Sequence, residues 1–137
     1  HDANIDPDEL AKRYVDFVYR VLRTFKRVDR AYADSAEQVL IRGLKAKSRK
    51  EGLNVTIRNS IKNPINDRIR LVQSLIAQDR FYYTEQAETV REALNEAVWD
   101  ESNEMEIVRL DDGTSDIDTL DAFEYSFERY IRQLMRK

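Results

Sequence analysis

A strand pattern, a helical pattern and a second strand pattern follow one another closely in the first half of the chain. Residues 28–33 are short and rich in Val, Tyr and Ala, and they stop at the pair Asp34-Ser35, which can cap a following helix. Residues 36–50 place apolar side chains at helical spacing and end before Gly52, which suits the left-handed position after a helix. Residues 53–58 have the pattern of a second strand. A strand, a helix and a strand in so short a span predict a βαβ unit with parallel strands, and hence an α/β fold.

Four other segments carry apolar residues at helical spacing, and the sequence predicts helices over residues 7–25, 65–76, 85–101 and 120–134. The first of these opens with Asp6-Pro7-Asp8-Glu9, in which Asp6 can act as N-cap and the proline fits the first helical position. We expect Phe17 and Phe25 of this helix, and Val39 of the helix in the βαβ unit, to face a core.

Two shorter segments lack a helical pattern. Residues 80–84 are aromatic and predict a short strand or sheet edge. Residues 102–115 are acidic and contain the turn sequence Asp111-Asp112-Gly113, so they predict a mobile loop.

The composition limits the classes of function that this chain can have. Its 137 residues suit one domain, and a hydrophobic content of 42% argues against disorder. With 23 basic and 26 acidic residues the net charge is -3, so any nucleic-acid surface must be a local patch. No stretch approaches the roughly 20 apolar residues of a membrane span, so we expect a cytoplasmic protein with no membrane partner.

Acidic side chains are the candidate metal ligands. The chain has no cysteine, and its single histidine is His1 at the terminus, which leaves the carboxylates. Asp34 falls at the carboxyl end of the first predicted strand, where ligands bind in open α/β sheets. Asp116, Asp118 and Asp121 open the last predicted helix, and the last two of them lie one turn apart on one side. If the fold brings the two clusters together, they form an oxygen-only pocket for a hard divalent cation, which suits phosphodiester chemistry.

The same carboxylates also have a purely structural interpretation. Acidic residues at a helix N-terminus cap free amides and oppose the macrodipole. Asp34 can cap the helix that follows it, and the later acidic cluster can cap the last helix in the same way. On this alternative the chain is a non-catalytic α/β interaction module that docks a partner protein.

Basic residues provide candidate contacts to DNA. The helix of the βαβ unit carries a basic run, made up of Arg42, Lys45, Lys47, Arg49 and Lys50. The commonest meaning of such a run is a solvated helix face, and the alternative is neutralisation of DNA phosphates. Lys62, Arg68 and Arg70 are better placed if their loop borders the acidic pocket, since a cation near the scissile phosphate offsets developing charge.

Several short elements match one protein family in order and spacing. They are Tyr32-Ala33-Asp34-Ser35-Ala36, Gly52-Leu53-Asn54-Val55 leading to Lys62, Asn66-Asp67-Arg68-Ile69, Phe81-Tyr82-Tyr83, and Asp118-Thr119-Leu120-Asp121-Ala122 followed by Phe123 and Tyr125. Together they resemble the C-terminal, ribonuclease H-like nuclease domain of the large terminase subunits of tailed phages and prophages, of the PBSX type. The resemblance covers nearly all of the chain, and it implies a mixed sheet flanked by helices.

The resemblance implies a metal-dependent endonuclease that cleaves double-stranded DNA during genome packaging. Asp34 would be the second catalytic carboxylate, Asp118 the third, and Asp121 the supporting acid of the terminal motif, with Asp116 as a substitute. These residues would hold Mg²⁺ or Mn²⁺ in a two-metal site, and Lys62, Arg68, Arg42 and Lys45 would contact DNA. The partners implied for the full system are the terminase ATPase domain, the small terminase subunit and the portal.

The resemblance also implies that this chain carries only part of a nuclease domain. The family's domain begins with strands, the first of which supplies another aspartate, whereas this chain starts at the helix after them. The only glycines are Gly43, Gly52 and Gly113, so no phosphate-cradling G-x-x-x-x-G-K-[ST] loop can be drawn and we expect no ATPase domain. We therefore expect the chain alone to bind metal weakly and to cut poorly.

Overall fold

The computed structural model describes residues 5–96 and 117–136, and the chain divides into two compact units, His1–Ser60 and Ile61–Lys137. The first unit contains helix α1 (Pro7–Phe25), strand β1 (Arg30–Ala33), helix α2 (Gln38–Lys50) and strand β2 (Thr56–Asn59). The second contains helices α3 (Ile65–Ala77), α4 (Glu88–Glu96), α5 (Ile117–Tyr125) and α6 (Ile131–Leu134), with 3₁₀ turns at Glu85–Ala87 and Glu128–Tyr130.

Helix α1 begins at the predicted cap. Asp6 Oδ2 accepts a hydrogen bond from the Glu9 amide at 3.3 Å, and Pro7 occupies the first helical position, where its missing N–H would have no helical partner anyway. The helix ends at Lys26, which has a φ of 63° and whose N–H donates to the Leu22 carbonyl 2.8 Å away. This left-handed residue turns the chain out of the helix before β1.

Strands β1 and β2 are parallel neighbours joined by α2, so the predicted βαβ unit is confirmed. The register pairs Arg30 with Thr56 at one end and Ala33 with Asn59 at the other. The residues that follow Ala33 and Asn59 therefore leave the sheet at the same edge, its carboxyl edge.

Helix α2 ends in the conformation that the glycine predicted. Gly52 has a φ of 68°, and its N–H donates to the Arg49 carbonyl at 3.1 Å. The Leu53 N–H donates to the Ser48 carbonyl at 2.9 Å, and these two bonds together form a Schellman motif.

The core of the first unit includes the interface between α1 and α2, which pack against each other. Its buried apolar side chains are Ala11, Val15, Val18, Ile41 and Ile57. The prediction that Phe17, Phe25 and Val39 face a core is wrong, because these side chains are largely exposed. Residues that are two positions apart in a helix, such as Val39 and Ile41, point in directions that differ by about 200° around its axis. The burial of Ile41 therefore turns Val39, which is 72% exposed, toward solvent.

The second unit has its own core, to which α3, α4 and α5 contribute buried apolar side chains. Helix α3 begins directly after Pro64, as predicted, and packs against α6, while α4 packs against α5. The buried apolar side chains are Leu71, Val72, Ala93, Leu120 and Tyr125.

Residues 80–84 form no strand, contrary to the prediction. Helix α3 ends in a second Schellman motif, in which Asp79 has a φ of 52° and the Arg80 N–H donates to the Leu75 carbonyl at 2.9 Å. The Phe81 ring then packs edge-on against Phe123, with 5.7 Å between ring centroids. An aromatic contact to a helix takes the place of the expected strand pairing.

The single helix predicted over residues 120–134 is broken. After α5 ends at Tyr125, the N–H groups of Ser126 and Phe127 donate to carbonyls three residues earlier, at 3.2 and 3.0 Å. This tightening leads into the 3₁₀ turn at Glu128–Tyr130, and α6 follows. The turn carries Glu128 into the interior, where the residue is 2% exposed.

The described residues form a mixed α/β arrangement with a two-stranded parallel sheet. None of the described helices has both the length and the apolar character needed to span a membrane. The predicted loop over residues 102–115, the end of the helix predicted to residue 101, and Asp116 lie outside the described residues.

Candidate functional site

Asp34 lies directly after β1, at the carboxyl edge of the parallel pair. Its Oδ1 accepts a hydrogen bond from the Ala36 amide at 3.0 Å, and its carbonyl accepts one from the Glu37 amide at 3.1 Å. Because α2 begins at Gln38, the carboxylate closes the turn before the helix and is not itself the helix cap.

The same sheet edge carries two polar side chains besides Asp34. The Gln38 side-chain nitrogen donates to the Ser35 carbonyl at 2.6 Å and to Asn59 Oδ1 at 3.2 Å. This bridge ties the turn after β1 to the last residue of β2. The turn that carries Asp34 is therefore fixed by hydrogen bonds from within the first unit.

Asp118 and Asp121 lie in the first half of α5, one helical turn apart. Asp118 is exposed, and the Asp121 side chain is 30% exposed. Their spacing is that of two residues on one side of a helix, and both side chains are at least partly exposed. Carboxylate oxygens are the donors that Mg²⁺ and Mn²⁺ take, so this pair fits one edge of a cation site.

Arg68 is at the centre of a buried ion cluster in the second unit. Its Nη1 lies 3.2 Å from Asp121 Oδ1, 2.8 Å from Glu124 Oε2 and 3.2 Å from Glu128 Oε1. The side chains of Arg68, Glu124 and Glu128 are 10%, 2% and 0% exposed. We call these four side chains the Arg68 cluster. Of its three carboxylates, only that of Asp121 reaches the surface.

Glu128 is held from a second direction by the loop before α3. Its Oε2 accepts a hydrogen bond from the Asn63 backbone N–H at 2.7 Å, and its carbonyl accepts one from the Asn63 side chain at 3.0 Å. One carboxylate oxygen therefore has a neutral donor, while the other faces the guanidinium.

The two protons of Arg68 Nη1 go to Asp121 and Glu124, which accept its hydrogen bonds at 3.2 and 2.8 Å. Glu128 Oε1 is as close as Asp121 but is buried with no hydrogen-bond donor. Two carboxylates thus stand at equal distance from one nitrogen that has a proton for only one of them, since Glu124 takes the other.

The predicted DNA contacts fall into two kinds. Arg42 and Lys45 are exposed on α2, and Lys62 is exposed with its Nζ 5.6 Å from the centre of the Tyr125 ring. Arg68 is largely enclosed, and its Nη1 is engaged by carboxylates. The first three residues have the exposure that a phosphate contact needs, and Arg68 does not.

Within residues 5–96 and 117–136, no three His, Cys, Asp or Glu side chains are arranged to hold a metal ion. Asp34 belongs to the first unit, and Asp118 and Asp121 belong to the second. Asp121, Glu124 and Glu128 converge, but the space among them is filled by the guanidinium of Arg68.

Glu124, Glu128 and Asn63 also belong to this arrangement and were not predicted as site residues. A signal was present, because Asp121, Glu124 and Glu128 recur at offsets of three and four and so share a face of a helix that also carries apolar residues. An acidic row beside an apolar stripe needs a basic partner, which the sequence does not identify.

The chain matches no family model, no curated protein and no solved structure.

Proposed function

We propose that this chain is part of the ribonuclease H-like nuclease domain of a viral DNA-packaging terminase, a divalent-metal endonuclease that acts on double-stranded DNA. The proposal rests on the family resemblance of its motifs together with one structural observation. Asp34 directly follows the first strand of a parallel βαβ pair, at the edge of the sheet where ligands bind in α/β proteins. This is where the resemblance assigns a catalytic carboxylate.

The proposed roles follow from the chemistry of the side chains. Asp34, Asp118 and Asp121, with Asp116 as a further ligand, would hold Mg²⁺ or Mn²⁺ through oxygen atoms. The bound cations would activate a water molecule and stabilise the charge that develops on the phosphate. The exposed cations of Lys62, Arg42 and Lys45 would neutralise DNA phosphates without reading sequence.

Arg68 takes a different role in this proposal. Its guanidinium is buried among carboxylates, so this proposal gives it no contact to DNA. It supports Asp121 instead.

A second candidate function is a non-catalytic α/β interaction module. Two observations favour it: Asp34 accepts the Ala36 amide in a local turn, and Asp121 pairs with Arg68. On this alternative both carboxylates are structural, and neither needs a metal ion.

Nicking of supercoiled plasmid separates the two candidates. We would incubate the chain with plasmid in Mn²⁺, Mg²⁺ or EDTA, and compare the wild type with Asp34→Asn and Asp118→Asn. Asparagine keeps the side-chain oxygen that accepts the Ala36 amide, so the first variant preserves the turn while removing the charge. Asp79→Asn is the matched control, since Asp79 is exposed and asparagine tolerates its left-handed backbone.

If the chain is a nuclease, we expect Mn²⁺-dependent nicking that is lost in Asp34→Asn and Asp118→Asn and retained in Asp79→Asn. Because we expect cutting by the chain alone to be weak, binding of Mn²⁺ measured by electron paramagnetic resonance accompanies the assay. A folded chain that neither nicks plasmid nor binds Mn²⁺ would contradict the nuclease and favour the interaction module.

A further inference from the structure

Asp121 and Glu128 compete to accept one N–H hydrogen bond from Arg68 Nη1. Both carboxylates have an oxygen 3.2 Å from Nη1, Asp121 accepts its hydrogen bond, and Glu128 Oε1 lies buried without a donor. A buried carboxylate oxygen without a donor costs free energy, and this cost falls if a proton is redirected to it. Glu124 does not take part in the competition, because it already accepts the other Nη1 proton at 2.8 Å.

The two competitors differ in what else can bind them. The Asp121 side chain is 30% exposed and lies one turn from Asp118, so a cation from solvent can reach it. The Glu128 side chain is 0% exposed, and its other oxygen is held by the Asn63 N–H. Asp121 therefore has an exposed side where a cation can bind, and Glu128 Oε1 is placed to accept the N–H hydrogen bond that Asp121 gives up.

We infer that Arg68 is a positioning residue that releases Asp121 to a divalent cation by redirecting one Nη1–H hydrogen bond from Asp121 to Glu128. Without a cation, Arg68 holds the Asp121 carboxylate in place. When a cation binds Asp121, the freed N–H donates to Glu128 Oε1, so the buried guanidinium keeps two charged acceptors throughout. This inference rests on the proposed function, since it treats Asp121 as a cation ligand.

The exchange offsets the loss of a hydrogen bond when the cation binds. A hydrogen bond between charged groups is worth enough to change an affinity by about tenfold or more. Removing the acceptor of Glu128 should therefore weaken the binding of the cation at Asp121, although Glu128 does not touch the cation.

The test is a titration of the chain with Mg²⁺ alone, followed by the NMR signal of the Arg68 Nε–H group. This group is buried and has no hydrogen-bond partner, so its proton should exchange slowly and report on its surroundings. Disappearance of the signal in Arg68→Lys assigns it. In the wild type we expect the signal to shift as Mg²⁺ binds, together with the backbone amide of Asp121.

Three variants complete the titration. In Asp121→Asn, Mg²⁺ should leave the Arg68 signal unchanged, because the cation ligand is lost while an acceptor for Nη1 remains. In Glu128→Gln the amide oxygen that accepts from the Asn63 N–H leaves the NH2 group facing Nη1 as a second donor, so the same shift should need about tenfold more Mg²⁺. Glu88→Gln is the control, because Glu88 pairs with Arg91 on the surface, and it should titrate as the wild type does.

The outcomes distinguish this inference from the proposed function. If Glu128→Gln titrates at the wild-type concentration, or if Mg²⁺ shifts the Asp121 amide without moving the Arg68 signal, the exchange is overturned and the metal site stands. If no signal responds to Mg²⁺, the metal site itself is overturned and the inference falls with it. Should Glu128→Gln fail to fold, the comparison of wild type with Asp121→Asn still decides whether Arg68 responds to a cation at Asp121.

Discussion

At the scale of single residues, the sequence shows that Arg68 is charged but does not identify the residues with which it pairs. The sequence presents it as one of several basic residues near a predicted acidic pocket, and a DNA contact was a reasonable prediction. Its burial is decided by Glu124 and Glu128, which lie 56 and 60 positions further along the chain. A local pattern cannot identify such a partner, whereas the cap at Asp6 depends only on residues three apart and was predicted correctly.

Replacing Arg68 by alanine should destabilise the fold by about 3 to 5 kcal/mol, because it leaves buried carboxylates without a cation. The free energy of unfolding in urea measures this. Arg91→Ala is the control, since its pair with Glu88 is exposed and should contribute no more than about 1 kcal/mol. Equal losses in the two variants would mean that the Arg68 cluster contributes no more than a surface pair.

At the scale of elements, the segments that were predicted correctly have short-range causes. The strands β1 and β2 and the helices α1, α2 and α3 follow from local residue patterns, and α1 also begins at its predicted cap, whereas the cap predicted for α2 at Asp34 does not form. Residues 80–84 have a strand-like composition but pair with neither of the strands that the structure describes, and Phe81 packs on Phe123 instead. No proline or glycine near residue 125 predicts the break after α5. It follows from tertiary packing that places Glu128 beside Arg68.

Two glycines of the first unit should respond to alanine with opposite signs. Gly52 has a φ of 68°, so alanine there should destabilise by about 1 kcal/mol through backbone strain, even though no atom lies within 4 Å of the added carbon. Gly43 lies inside α2 with equally open space, so alanine should stabilise by about 0.5 to 1 kcal/mol. Thermal unfolding of both variants checks this. A gain in stability at position 52 would contradict the left-handed conformation of Gly52, and a loss at position 43 would contradict the open helical site of Gly43.

Replacing a core residue of α5 should lower the stability of the second unit strongly. Leu120 is 1% exposed, and its replacement by alanine should cost about 2 to 5 kcal/mol through lost burial and a residual cavity. Val39→Ala, at a position that is 72% exposed on α2, should change stability by less than about 0.5 kcal/mol. Denaturant midpoints of the two variants provide the comparison, and a small effect at Leu120 would show that α5 is not packed as described.

At the scale of the whole molecule, neither unit contains all three carboxylates of the proposed function. Asp34 belongs to the first unit, and Asp118 and Asp121 belong to the second. The sequence indicated each of them through its place at the end of an element. It could not indicate that Asp121 would also be bound by Arg68, because that contact spans 53 residues.

On the proposed function, binding of a metal ion stabilises the folded chain. At a concentration ten times its dissociation constant, Mn²⁺ should add about 1.4 kcal/mol to the free energy of unfolding and raise Tm by a few degrees. The increase should disappear in Asp34→Asn and in Asp118→Asn and persist in Asp79→Asn. Thermal unfolding with and without Mn²⁺ measures it, and indifference of the wild type to Mn²⁺ would favour the interaction module.

The Arg68 cluster also bears on the order in which the second unit assembles. Its contacts join residues that are 53 to 65 positions apart, so the chain must close a long loop before any of them forms. The entropy of closing such a loop grows only slowly with its length, but folding slows as contacts become more distant in sequence. Helix α3 can therefore form early from local interactions, while the charges of the cluster come together late. In a chain that is still growing on the ribosome, Arg68 has to stay solvated until the residues of α5 and the turn after it have been synthesised.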